Sequence, residues 1–310
     1  MKKTVYAGTY TGTGSEGIYR FSFENGILSD PSLFCRIKNP KYIADNGDTL
    51  VSTGDFPNGS GAAVIGADGE ILHQVSYEDG TSCFITADDT YVYTANYHAG
   101  TFTVLQKTEN GLKLVQNVHI RQGAGCHQVM LWNDVILVPC LFLDRVMLFD
   151  RELNRTGSID FNAGTGPRHG VFSKDGKTLY LVSELSNELF VIESGTWKIL
   201  SSISVLENNE KNQRDTAAVR LSEDERFLYV STRTKDIISV IDLTGETPRL
   251  IQTVSCGGRH PRDFILLDGY LLSANRFSNT VVSFEINEDG TVGKQVSSIH
   301  VPEAVSLIAK

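Results

Sequence analysis

Several things are scarce in this chain, and each scarcity removes a class of protein. Its 310 residues include 5 cysteines, 2 tryptophans, 3 methionines and 8 prolines. The cysteines (Cys35, Cys83, Cys126, Cys140 and Cys256) are odd in number, scattered and free of any Cys-x-x-Cys spacing. That excludes a disulfide framework and a cysteine-type zinc site, and is ordinary for a reduced compartment. Cys126 beside His127 makes a poor nucleophile–base pair, because neighbours on a strand point to opposite faces. No stretch approaches the ~18 consecutive apolar residues of a membrane span. The start, Met1-Lys-Lys-Thr-Val-Tyr6, runs straight into alternating sequence without the apolar core of a signal peptide, so the expectation is a cytoplasmic protein. Positive charge is also in deficit: 28 Lys and Arg against 37 Asp and Glu give a net −9. A nucleic-acid binder usually shows the opposite balance, though a small cationic pocket remains compatible with it. Missing too are the Gly-x-Ser-x-Gly elbow, the Walker loop and His-Glu-x-x-His. Neither Trp132 nor Trp197 precedes Asp, so the WD-repeat mark is absent.

What is present is a repeat. A polar turn followed by a Tyr-, Leu- and Val-rich strand recurs as Ala87-Asp-Asp-Thr-Tyr-Val-Tyr-Thr94, as Lys174-Asp-Gly-Lys-Thr-Leu-Tyr-Leu-Val182 and as Glu223-Asp-Glu-Arg-Phe-Leu-Tyr-Val230. A following strand recurs over 101–105, 145–149, 188–192, 237–241 and 280–284. These segments have period 2, are β-branched or aromatic, and are bounded by turn residues, which is the strand signature. The position leading into each first strand is held by Lys41, Ser82, His127, Arg168, Ala217, Arg262 and Glu303, at intervals of about 41–49 residues. The step from Glu303 round through the N-terminus to Lys41 falls in the same range. The C-terminal stretch from Val305 supplies one strand, and the N-terminal stretches 4–9, 17–23 and 33–37 supply three more.

The expectation is therefore an all-β chain: a seven-bladed β-propeller of four-stranded antiparallel blades, closed by a blade shared between the N- and C-termini, with residues 1–310 in one domain. A linear solenoid or a pair of β-sandwiches would not predict complementary partial repeats at the two ends.

In such a blade the first strand lies nearest the axis, so the loop leading into it and the loop between strands two and three share one face. The leading positions named above would then meet Tyr10, Asp55, Asn96, Tyr97, Glu184, Asn187, Arg233, Asn275 and Arg276 at the channel mouth. Polar groups converging in a concavity form a candidate binding site. Each residue also has a purely structural reading. Arg168 and Arg262 could bond loop carbonyls or pair with Asp263 or Glu303. His127 could be a satisfied loop histidine, and His169, one residue off the leading position, would face the blade interior. Glu184 could be a surface carboxylate, Arg233 a salt-bridge partner, and Asn96 and Asn275 turn braces. Oxygen ligands for a metal would have to come from Glu184, Asn96, Asn275 and Asp55, beside arginines that repel a cation. We expect no metal and no cofactor.

The stretches Asn96-Tyr-His-Ala-Gly-Thr101, Gly125-Cys-His-Gln128, Gly166-Pro-Arg-His169, Ser183-Glu-Leu-Ser-Asn187, Thr232-Arg-Thr234 and Pro261-Arg-Asp263 resemble, in motif and order, the seven-bladed lactonase family. That family contains bacterial 6-phosphogluconolactonase and is related to the carboxy-muconate cyclases. The resemblance spans blades two to six; around Gly54–Gly61 blade one departs from it. It implies hydrolysis of a sugar lactone, with 6-phosphoglucono-1,5-lactone the expected substrate, His127, Glu184 and Arg168 in catalytic positions, and Arg262 and Arg233 against the substrate; the loop alternation adds Asn96, Tyr97 and Asn275 as expected substrate contacts. A lactonizing cycloisomerase, and a non-catalytic propeller holding an anionic sugar or a protein, are the alternatives. The partner expected is a small anionic, phosphorylated sugar lactone, not nucleic acid or a membrane.

Overall fold

The computed structural model describes residues 1–109, 111–207 and 215–310. Its strands form seven antiparallel sheets arranged as the repeat requires. We count blades from the first complete one. Blade one runs Ile43–Asn46, Thr49–Phe56, Gly59–Ile65 and Ile71–Glu78. Blade four, typical of the set, runs Pro167–Phe172, Thr178–Ser183, Glu188–Glu193 and Ile199–Ser204. Blade seven joins the C-terminal Ala304–Ala309 to the N-terminal Lys3–Thr9, in the register Val5 to Ala309 and Ala7 to Leu307. Gly17–Glu24 pairs next, and its outer neighbour comes in two pieces, Ile27–Leu28 and Ser32–Arg36. Two single-turn 3₁₀ helices, Leu141–Leu143 and Arg276–Ser278, occupy second-to-third loops of blades three and six.

The apolar residues explain why a ring forms rather than seven separate sheets. Among the described residues the core divides into seven clusters, each lying between two adjacent blades. Leu137, Val146 and Leu148 of blade three pack on Leu179, Leu181 and Phe190 of blade four. Val5, Phe21 and Phe23 of blade seven pack on Leu272, Ala274 and Val281 of blade six. A single blade has no core of its own, and each buried Leu or Phe stabilises the ring by about 1.5–3 kcal/mol only when its neighbour is in place.

One local feature decides where side chains point at the axis. In blades four, five and six the first strand slips register, between Pro167 and His169, between Thr216 and Val219, and between Pro261 and Asp263. Arg168, Ala217 and Arg262 therefore sit inside a bulge, not just ahead of the strand. A bulge breaks the alternation of faces and re-aims its side chain. His169 is placed accordingly: both it and Arg168 are buried, although period-2 alternation would separate them. In blade one the departure at Gly54–Gly61 is a tight hairpin that pairs Phe56 with Gly59.

Candidate active site at the channel mouth

Two glycines set the approach to the site. Gly166 (φ +65°) precedes Pro167-Arg168, and a Cβ there would lie 2.5 Å from Leu185 Cγ. Its carbonyl accepts the Glu184 N–H at 2.8 Å, and its own N–H donates to Asp144 Oδ1 at 2.8 Å. The leading loop of blade four is thereby tied to its second-to-third loop. Gly125 (φ +75°) makes the matching turn before Cys126-His127.

A cavity of about 220 Å³ opens where these loops meet. Blade seven contributes Tyr10, blade one Lys41, and blade two Thr81, Cys83, Tyr97 and His98; His127, Glu184, Arg233 and Arg262 come from blades three to six in turn. Every blade thus reaches it, as two loops per blade on one face would allow. A larger cleft, about 630 Å³, lies at the hairpin turns of blades five and six on the other face. Glu223, Asp224, Asp268 and Glu288 line it with Lys174, so its charge is net acidic where that of the smaller cavity is cationic.

The centre of the site is a buried ion-pair chain. Arg168, 1% exposed, donates from Nε to Glu184 Oε2 at 2.7 Å and from Nη1 to the Ala217 carbonyl at 2.6 Å. The other Glu184 oxygen takes Arg233 Nη2 at 2.9 Å, and Arg233 also pairs with Asp215. Burial would push the Glu184 carboxyl up, but the Arg233 and Arg168 guanidiniums hold it below the usual glutamate range. It is an ionised, doubly paired carboxylate. Burial lowers Arg168 to about 10, with Glu184 opposing the shift; the guanidinium stays charged at neutral pH.

His127, 4% exposed, differs in having one ring nitrogen free among the described residues. Its Nδ1 lies 3.0 Å from His169 Nε2, which leaves Nε2 for the cavity. Burial, then the charges of Arg168, His169, Arg262 and Arg233, hold its pKa well below the ordinary histidine value, so the ring is neutral. Tyr97 packs edge-on against it, ring centres 5.8 Å apart.

A separate cationic corner surrounds Tyr10. Lys41 Nζ and the Arg262 and Arg276 guanidiniums lie 5.4, 5.5 and 3.9 Å from its ring centre. Arg276 is paired with Glu303, and Lys41 Nζ donates to the Thr81 carbonyl at 3.2 Å. Arg262 has no hydrogen bond or carboxylate partner within bonding distance among the described residues; the nearby Asp263 pairs with Arg220 instead. Thr81 is itself held by Asp55, whose carboxylate also accepts from Asn39 and Ser60.

Of the eight residues proposed from sequence, His127, Glu184, Arg233, Arg262 and Tyr97 line this cavity. Three do not. Arg168 lies behind Glu184, re-aimed by its bulge. Asn96 donates to the Gly80 carbonyl at 2.5 Å and accepts from the N–H groups of His98 and Ala99. Asn275 donates to the Cys256 carbonyl and accepts from Ser273. Both asparagines brace turns. Ser82 is buried, bonded to Glu78, and its neighbours Thr81 and Cys83 face the cavity. Lys41 and Tyr10 were legible as ring positions; Asp215, in an unpatterned loop, carried no signal. Cys126 Sγ lies 3.7 Å from Cys140 Sγ, and that contact together with burial raises its pKa far out of nucleophilic range.

The fold and cavity define a seven-bladed propeller with a cation-rich pocket at one mouth. Comparison with known proteins carries this further. The family described as "Lactonase, 7-bladed beta-propeller" matches residues 4–309. The 6-phosphogluconolactonase of Bacillus subtilis (strain 168) is 31% identical, with 97% of each chain covered. A crystal structure of a protein from Lactobacillus plantarum is 27% identical over all of both chains, with a TM-score of 0.92. The periplasmic gluconolactonase of Pseudomonas aeruginosa, 24% identical with a TM-score of 0.87 over 100% of this chain and 99% of its own, shares the fold. The chain belongs to the seven-bladed β-propeller lactonase family.

Proposed function

We propose that this protein hydrolyses a sugar lactone, with 6-phosphoglucono-1,5-lactone as substrate and 6-phosphogluconate as product. The observation that carries the reading is the pairing, in one small cavity, of a neutral His127 with guanidiniums from Arg233 and Arg262. Lactone opening needs a water that loses a proton, donors for the developing oxyanion, and a proton for the leaving ring oxygen. His127 Nε2 accepts the water proton as the oxygen bonds to the carbonyl carbon. Arg233, fixed by Glu184 and Asp215, faces the oxyanion. As the ring C–O bond breaks, His127 returns the proton to the leaving oxygen. Glu184 is too strongly paired to act as the base; its part is to hold Arg233.

Arg262 and Lys41, beside Tyr10, receive the phosphate. Guanidinium suits a phosphate because it offers parallel donors, and among the described residues no carboxylate lies within ion-pair distance of this one. The likeness to the Bacillus subtilis 6-phosphogluconolactonase supports the same substrate.

The test is to add the purified protein to freshly generated 6-phosphogluconolactone and to the unphosphorylated lactone, following decay of each. We expect acceleration of both and a lower KM for the phosphorylated one. Decay of both no faster than in buffer overturns the reading; equal KM values overturn the phosphate assignment alone.

A further inference from the structure

His169 stands next to the arginine at the heart of the site, yet it does not line the cavity. It is 3% exposed and walled by Phe84 and Tyr42, with ring centres 5.8 and 6.5 Å away. Its Nε2 meets His127 Nδ1 at 3.0 Å, and its Nδ1 has no hydrogen-bond partner among the described residues. A buried imidazole with one orphaned nitrogen is costly in an apolar wall. Packing alone would be served as well by a phenyl ring, so the side-chain bond of His169 to His127 calls for a role.

We propose that His169 is a positioning residue: it holds the His127 ring and fixes the tautomer that leaves a bare Nε2 facing the cavity. One proton must lie in the 3.0 Å bond between the two rings. Either His127 donates from Nδ1, leaving its Nε2 a lone pair, or His169 donates, putting a hydrogen on His127 Nε2. Each arrangement leaves His169 Nδ1 unpaired, so that atom does not choose between them. The field does. Arg233 and Arg262 line the cavity beside His127, whereas of the cations acting on His169, Arg220 is paired with Asp263 and Arg168 with Glu184. Glu184 is already neutralised by Arg168 and Arg233 and Asp263 by Arg220, Lys41 adds a further cation at the cavity, and Tyr42, Cys83 and Tyr97 are protonated, burial foremost holding each of them up. A positive cavity favours the imidazole's lone-pair end toward it and the N–H end away. Both rings then align in one direction, His127 Nδ1–H donating to His169 Nε2. The other ring nitrogen of a working histidine is commonly fixed by such a bond, which sets the tautomer. The bulge at Arg168 makes the contact available by turning His169 toward the axis.

The kinetic consequence rests on the lactonase reading, but the tautomer does not, so the test has two arms. In the first, nitrogen-15 NMR of the imidazoles of the intact protein should show His127 protonated on Nδ1. In His169→Phe, which keeps ring volume and removes the acceptor, that preference should be lost. An Nε2–H form in the wild type, or an unchanged tautomer in His169→Phe, overturns the proposal whether or not the protein is a lactonase. In the second, His169→Phe should lower kcat about 10- to 100-fold, part of the 10²–10⁴ that a general base contributes, with KM within about twofold. His169→Gln, whose amide reaches the same place, should restore most of it. In a His127→Ala background, His169→Phe should cost nothing further. Equal losses in both backgrounds, or no rescue by Gln, would mean that His169 only packs, and would overturn the proposal. A wild type without activity would count against the lactonase reading and leave the NMR arm to decide.

Discussion

Replacing Glu184 by Gln removes the charge that joins two buried arginines, and the consequence can be sized from the contacts. Arg168 is 1% exposed and has one other acceptor, the Ala217 carbonyl. Arg233 keeps Asp215. Breaking a buried pair from one side costs about 3–5 kcal/mol, because the remaining charge is left uncompensated. The glutamine oxygen can still accept one bond, which places E184Q near 3 kcal/mol, the low end of that range. The double variant E184Q/R168M removes both charges and keeps most of the volume. It should be more stable than the sum of the single changes predicts, by about 1–3 kcal/mol. Urea unfolding measures all three, with a shifted midpoint and unchanged slope expected. The acid limb gives an independent reading. Glu184 has a folded pKa below its unfolded one, so its contribution is complete above about pH 4.3 and is lost as pH falls from there through the folded value. E184Q should lack that component. Stability within about 0.5 kcal/mol of wild type, the ordinary range for a surface change, would show that Glu184 is not the counter-ion of Arg168.

Other consequences follow from the same contacts. His127 and His169 are buried neutral with pKa values held well below 6.5; their contribution is intact above pH ~6.5 and falls as the unfolded chain takes up protons below it, each by about 1.4 kcal/mol per pH unit, so the urea midpoint should drop from pH 6.5 downward and H169F should roughly halve this component of the slope. In Gly166→Ala the φ of +65° and the 2.5 Å approach to Leu185 should cost about 1–3 kcal/mol and lower kcat by shifting Glu184, measured by unfolding and turnover; a neutral result would refute the coupling of the two loops. Arg262→Gln and Lys41→Gln should each raise KM for a phosphorylated lactone about tenfold, equivalent to ~1.4 kcal/mol, and leave KM for the unphosphorylated lactone nearly unchanged. Ending the chain at Glu303 removes the strand paired with Lys3–Thr9 and leaves an open edge, so light scattering should detect more self-association than in the full chain.

The ring was legible because its cause is periodic. Alternating Tyr, Leu and Val between turn residues, repeated at a nearly constant interval, makes strands that can bury their apolar faces only against copies of themselves. The partial repeats at the two ends then dictate the shared blade, found with Val5 opposite Ala309. The face that would carry the site was equally legible, since in a four-stranded blade alternate loops share a side. His127, Glu184, Arg233, Arg262 and Tyr97 reach the cavity for that reason.

Which way each side chain turns on arrival was decided in three dimensions. The register slip between Pro167 and His169 is a property of the pairing with Ser183 and Val182, and no pattern within Gly164–Gly170 announces it. It places Arg168 behind Glu184 and brings His169 to His127 across two blades. Asn96 and Asn275 sit at the expected loops, but their amides answer turn carbonyls and N–H groups nearer than any ligand. The separation of paired Arg233 from Arg262, unpaired among the described residues, likewise depends on Asp215 from the leading loop of the same blade as Arg233, on Glu184 from blade four, and on Arg220 of blade five taking Asp263. The sequence by itself determined a closed ring and the side of it that is polar, because periodic burial and loop alternation are local rules. Only the tertiary structure decided which cation is neutralised and which histidine nitrogen is left bare, because charge pairing and bulge geometry are settled between segments far apart in the chain.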